Sequence, residues 1–196
     1  MSRNIDETAT LYHEHGVCLR TRTVFIDGDD DEENFEVTMK SARRDIKNLQ
    51  LLDSLSPDGT RPIYVKLNCN GGEVLAGMAI YDAIASCVNK VIVLAHNAMS
   101  MGSIILQAGD ERLLYPHCTV MIHNGSVSRT GSPKTVENWQ KYDKSMDTRH
   151  EDIYLEKIKQ KKPRFTRKQL QDMLEHDTIL SAQEAVDLGL ADKVLE

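Results

Sequence analysis

The stretch IYVKLNCNGGEVLAGMAIYDAIASCVNKVIVLAHNAMSMGSIILQA, residues 63–108, decides the fold class. Ile63 to Leu67 reads as a strand, Asn68-Cys-Asn-Gly-Gly72 as a turn, and Val74 to Ala85 as a helix. Lys90 to Ala95 is a second strand, and its nearly continuous apolar run predicts burial on both faces. His96 to Ala98 reads as a turn, and Met99 to Ala108 has helical composition beginning at Ser100. Strands that alternate with helices in this way predict an α/β fold.

Downstream, Arg112 to Leu114 and Cys118 to His123 read as two further short strands. Gly125 to Pro133 is loop-like, with some strand character. A long amphipathic helix is expected from about Lys134 to Lys161, stopped by Pro163. Thr166 caps a helix through Leu174, and Ser181-Ala-Gln-Glu184 is a capping box for a short helix ending at Gly189. Ala191 to Leu195 can close the chain as a strand. Upstream, Thr21 to Ile26 alternates like a strand. The acidic run Asp29 to Glu33 then leads into a helical pattern through Phe35, Met39, Ile46, Leu49 and Leu52. That run suits a helix N-terminus through its dipole. Residues 1–20 are expected to form a flexible arm, and residues 21–196 one domain.

The 196 residues suffice for a single domain with a real core. A formal charge of −6 speaks against a nucleic-acid surface, which needs a dense basic face. The basic stretch Lys157 to Lys168 has acidic residues close by and reads as a solvated helix end. No apolar run approaches the ~20 residues that span a bilayer, and Met1 to Glu14 lacks the apolar middle of a secretion signal. A cytoplasmic location is therefore expected. The four cysteines are scattered with no C-x-x-C pair, so free thiols, no disulfide and no metal are expected.

Ser100 lies where an apolar strand meets an apolar helix. There, free backbone N–H groups and the helix dipole favour a developing negative charge, and Gly102 permits close backbone approach. A serine at such a junction can equally be a plain N-cap. The Gly71-Gly72 pair lets the backbone turn sharply and offer an unshielded N–H, although Asn-Gly-Gly is also an ordinary turn. His123 ends an apolar strand, where an imidazole can project into a cleft and move protons near neutrality. A lone histidine is more often structural, and His150 and His176 read as residues in charged helical surroundings. Asp177 can orient a histidine, or can merely cap the next turn.

Taken jointly these segments resemble the proteolytic subunit family of the Clp protease (ClpP). The Gly-Gly turn followed by Gly77-Met-Ala-Ile-Tyr-Asp82, then Ala98-Met-Ser-Met-Gly102 and Val120-Met-Ile-His123, are similar to three family blocks in the family's order. Glu175-His-Asp177 with Leu180 to Leu195 is similar to a fourth. The resemblance covers roughly Ile63 to Leu195, with a faint echo at Arg22 to Asp27.

The resemblance implies Ser100 as nucleophile, His123 as general base and then acid, and Asp177 as the group orienting His123. The backbone N–H groups of Gly72 and Met101 would form the oxyanion hole. It implies a crotonase-like fold of stacked β-β-α units with a protruding long helix. That helix would interlock two stacked seven-membered rings around a chamber fed by an AAA+ unfoldase. The chemistry needs no cofactor, and protein or peptide substrates are expected. Some residues depart from the family: Asn-Cys-Asn precedes the glycine pair, and Asn124-Gly125 follows His123. His176 stands where the family usually has arginine, and Lys66 where it has an aromatic docking residue. Other readings are a catalytically silent assembly subunit, a narrow-specificity processing protease such as a viral one, or an acyl-CoA hydratase or isomerase of the same fold.

Overall fold

The computed structural model describes residues 10–28, 35–125 and 127–196. The acidic run Asp29 to Glu33 and residues 1–9 of the expected arm lie outside the described residues, whereas Val17–Cys18 of that arm forms a strand.

The fold is mixed α/β, built on a seven-stranded sheet ordered β1 (Val17–Cys18), β2 (Thr23–Ile26), β4 (Ile63–Cys69), β6 (Val91–Met99), β7 (Glu111–Ile122) and β8 (Thr178–Ser181), with β9 (Lys193–Val194) also pairing with β7. β2, β4, β6 and β7 run parallel, whereas β1 and β8 pair antiparallel with their neighbours. A separate small ladder joins β3 (Glu36–Val37) to β5 (Gly71–Gly72). The helices are α1 (Met39–Ser54), α2 (Val74–Ala85), α3 (Met101–Gln107), α4 (Pro133–Lys161), α5 (Arg167–Leu174) and α6 (Ala182–Leu188). Val65 and Leu67 of β4, Val93 and Ala95 of β6, Ile80 of α2 and Ile105 of α3 are all fully buried in one core.

Local chemistry sets the helix ends. Thr166 and Ser181 each accept a hydrogen bond from the third helical N–H, while their own backbone N–H groups donate to the Gln169 and Glu184 side chains. Gly189 closes α6 in the left-handed conformation, with φ 101°. At the far end of the sheet Arg112 donates to Gln107 Oε1, to the Gly189 carbonyl and to Asp192, while Gln107 donates to the Leu190 carbonyl. This largely buried network ties α3, the end of α6 and the approach to the C-terminal strand together.

Five expectations need correction. Asn68-Cys-Asn-Gly-Gly72 is not simply a turn: β4 runs on through Cys69, and Gly71–Gly72 pair with β3 as β5. The helix α1 starts at Met39 rather than near Phe35: Thr38 and Ser41 form a capping box, and Phe35 has φ 52°, which no helix accepts. His96 to Ala98 is not a turn. β6 continues through it to Met99, because Asn97, Ala98 and Met99 stay laddered to Thr119, Val120 and Met121 after a bulge at His96. The two strands expected around 112–123 are one, β7. Its pairing with β6 stops at Leu114 and resumes at Thr119, so Pro116 sits where the ladder has no donor to lose. β6 is not buried on both faces: Val91, Val93 and Ala95 are buried, but Ile92 and Leu94 only partly so.

Candidate active site

Sheet register brings Ser100, His123 and Asp177 together although they are far apart in sequence. Met99 is the last residue of β6 and pairs with Met121 of β7, and Ser100 N–H donates to the Met121 carbonyl at 2.9 Å. Ser100 therefore emerges beside the end of β7, where His123 follows Ile122. Ile122 pairs with Thr178 of β8, and Asp177 is the residue before it. Asn124 N–H donates to the Leu174 carbonyl at 3.0 Å, which fixes the chain leaving β7 against the end of α5.

The side chains complete what the register prepares. Ser100 Oγ lies 2.8 Å from His123 Nε2, and His123 Nδ1 lies 2.7 Å from Asp177 Oδ1. The carboxylate can accept only from an Nδ1–H, which leaves the Nε2 lone pair for the serine proton. Asp177 is 65% exposed and His123 24%, so the pair's value lies in orientation rather than in fold stability.

Ser100 does not act as an N-cap. Its side chain makes no capping hydrogen bond, and its backbone sits at φ 50°, ψ −119°, a strained conformation for a residue with a Cβ. The strain turns the hydroxyl out of the helix axis and toward His123. Two glycines allow close approach here, Gly71 against Ser100 and Gly102 against Cys69. A Cβ on Gly71 would come within 2.9 Å of Ser100 Cβ, and one on Gly102 within 2.7 Å of the Cys69 carbonyl oxygen.

A second hydrogen-bonded chain holds the strained residue from behind. Ser103 Oγ donates to the Ser100 carbonyl at 2.7 Å and lies 2.6 Å from the Tyr154 hydroxyl. Since the serine has a single proton, Tyr154 donates to Ser103. Both residues are buried, and burial pushes the Tyr154 hydroxyl well above its ordinary pKa, so it stays protonated. Cys69 is buried and its thiol is pushed up to about 11 by that burial, so it stays protonated near neutral pH.

A cleft of about 590 Å³ opens beside Ser100 and His123, lined also by Gly72, Met101, Ile104, Val127, His150 and Tyr154. Gly72 and Met101 thus border the same space as the hydroxyl. Met101 opens α3, so its N–H belongs to the first helical turn, which has no intrahelical partner.

Three neighbours of the site escaped the sequence reading. Ser103 carries no local signal. Tyr154 reads as one apolar stripe residue among several on α4. His150, expected in a charged helical setting, lines the cleft instead. His176 lies past the end of α5 and borders a small depression with Asp177. Among the described residues no cluster of histidine, cysteine or acidic side chains could hold a metal, and no helix is long and apolar enough to cross a membrane.

Comparison with known proteins agrees with the sequence resemblance. The family model described as Clp protease matches residues 7–196. The chain is 33% identical over 195 residues to the ATP-dependent Clp protease proteolytic subunit of Deinococcus radiodurans, covering 94% of this chain and 85% of that one. It is 31% identical over 181 residues to the ATP-dependent Clp protease proteolytic subunit 2 of Pseudomonas aeruginosa, covering 91% and 83%. A family match across nearly the whole chain, with relatives above 30% identity over most of both lengths, identifies the chain as a member of the Clp protease family.

Proposed function

We propose that this chain is a serine endopeptidase in which Ser100 attacks the peptide carbonyl, His123 shuttles the proton, and Asp177 orients His123. The observation that carries the reading is the unbroken hydrogen-bonded chain from the uncapped, strained Ser100 hydroxyl through both ring nitrogens to the carboxylate. His123 Nε2 takes the proton as Oγ attacks, and Asp177 stabilises the imidazolium that forms. The N–H groups of Gly72 and Met101 are proposed to hold the oxyanion, the charge that develops only in the transition state. His123 then returns its proton to the leaving amine, and water repeats the sequence on the acyl-enzyme. No step calls for a cofactor.

The proposal extends to assembly. Membership of the Clp protease family supports a crotonase-like arrangement of stacked β-β-α units, with α4 as the protruding helix that interlocks two seven-membered rings. The exposed Trp139 and Tyr142 near the start of α4 suit such burial between copies. The relatives' names contain the words ATP-dependent, which supports an AAA+ unfoldase as partner and protein chains as substrates. Free thiols at Cys18, Cys69, Cys87 and Cys118 suit a reducing compartment, so we place the enzyme in the cytoplasm.

The test is hydrolysis of an unstructured peptide by the purified chain and by Ser100→Ala, together with the native mass of the wild-type assembly. Cleavage lost in the variant and particles of about fourteen subunits support the proposal. A well-folded assembly that cleaves nothing supports the silent-subunit alternative, and a stable monomer contradicts the chamber.

A further inference from the structure

Residues four apart on a helix share a face. On α4 one such pair is His150 and Tyr154, and the Tyr154 bond to Ser103 turns that face toward α3 and the nucleophile. Both residues line the cleft beside Ser100, where Met101 and Ile104 supply buried apolar wall. The Tyr154 hydroxyl is committed to Ser103. The His150 ring makes no hydrogen bond of this kind: its Nε2 is sealed from solvent and has no partner among the described residues. A buried, unpartnered polar atom is rare in folded proteins and asks for a cause. Burial also holds the His150 pKa below its ordinary value, so the ring is neutral at pH 7, with one N–H and one lone pair.

We propose that His150 sets the substrate preference of this cleft, selecting peptides in which the residue donating the attacked carbonyl carries an uncharged amide side chain, glutamine first and asparagine second. The inference rests on the serine-peptidase reading above. A carboxamide both donates and accepts, so it pairs with a neutral imidazole in either tautomer. Glutamine has the longer reach toward a group set back in the wall. Leucine fills the same apolar space but leaves the imidazole as unpartnered as it is in the free protein, so it forgoes the hydrogen bond that glutamine adds. A carboxylate or ammonium brings a charge that neither the apolar wall nor a neutral ring compensates. Contact requires the ring to turn about χ2, a broad and nearly two-fold torsion.

The experiment compares kcat/KM for matched peptides that differ only at that residue (Gln, Asn, Leu, Glu), using the wild-type assembly and His150→Met. In parallel, the wild-type chain is treated with a fluorophosphonate that has no peptide side chain. The wild type is expected to favour Gln over Leu by about tenfold, and His150→Met to reverse the order. A labelled, active wild type that prefers Leu overturns the proposal, whether or not the variant folds, and so does a Gln/Leu ratio unchanged by the substitution. A wild type that neither takes the probe nor cleaves any peptide overturns the serine-peptidase reading, and this inference with it.

Discussion

Replacing Ser103 with alanine tests whether the second hydrogen-bonded chain supports Ser100. The substitution removes the 2.7 Å bond to the Ser100 carbonyl and strands the Tyr154 hydroxyl, 2.6 Å away, without an acceptor. A lost buried hydrogen bond costs about 1 kcal/mol and a stranded buried donor about 1–3 kcal/mol, so Ser103→Ala is expected to lose roughly 2–3 kcal/mol. Tyr154→Phe leaves the Ser103 bond to Ser100 in place and is expected to lose only about 1 kcal/mol. In the double variant nothing is stranded, so its loss falls about 1 kcal/mol or more short of the sum of the singles. Urea unfolding at one fixed protein concentration measures all three. The rate of fluorophosphonate reaction at Ser100 is expected to fall about tenfold in Ser103→Ala, since the strained carbonyl keeps only the 2.9 Å bond from Ser103 N–H. Additive stability losses, within about 0.5 kcal/mol, with an unchanged reaction rate would refute the reasoning.

Asp177→Asn is expected to lower kcat by about 10³–10⁴ with little change in KM, because an amide no longer selects the Nδ1–H tautomer; the largely exposed side chain leaves urea stability nearly unaltered. Gly72→Ala is expected to cost on the order of 3 kcal/mol and to abolish peptide cleavage. Its Cβ would stand 2.2 Å from the Val37 carbonyl oxygen at φ +123°, which breaks the β3–β5 ladder; full activity in the variant would contradict this. Burial raises the pKa of Asp192, but the hydrogen bonds from the Arg112 side chain and N–H, with the guanidinium charge, outweigh it and hold the carboxyl below its ordinary value. A depressed folded pKa stabilises above the unfolded pKa of ~3.9, and that contribution is lost as pH falls through the folded value. The urea midpoint should therefore drop more steeply below about pH 4 in the wild type than in Asp192→Asn, whereas parallel curves would remove Asp192 from the account.

Much of the fold was legible because residues 63–108 punctuate themselves: Val74 to Ala85 is a helix with the bounds its spacing predicts, and Ser181 caps α6 with Glu184 as the capping box requires. What failed was set by contacts distant in sequence. His96 to Ala98 has turn-like polarity, yet β7 and β4 flank it and hold it extended. β8 went unread because Thr178 to Ser181 is short and half-exposed, and gains its place only by pairing with β7. The side chains named for the site were suggested by motif rather than geometry. Neither the 2.8 Å approach of Ser100 to His123 nor the Ser103–Tyr154 bond has a local sequence signature, because both depend on strand register and on how α4 crosses α3.

The most direct measurement is intact and peptide-level mass of the native protein after treatment with a fluorophosphonate. The account predicts one adduct per chain, carried by Ser100, formed slowly in His123→Ala and absent in Ser100→Ala. A folded, assembled protein that stays unmodified, or an adduct on any other residue, would contradict it.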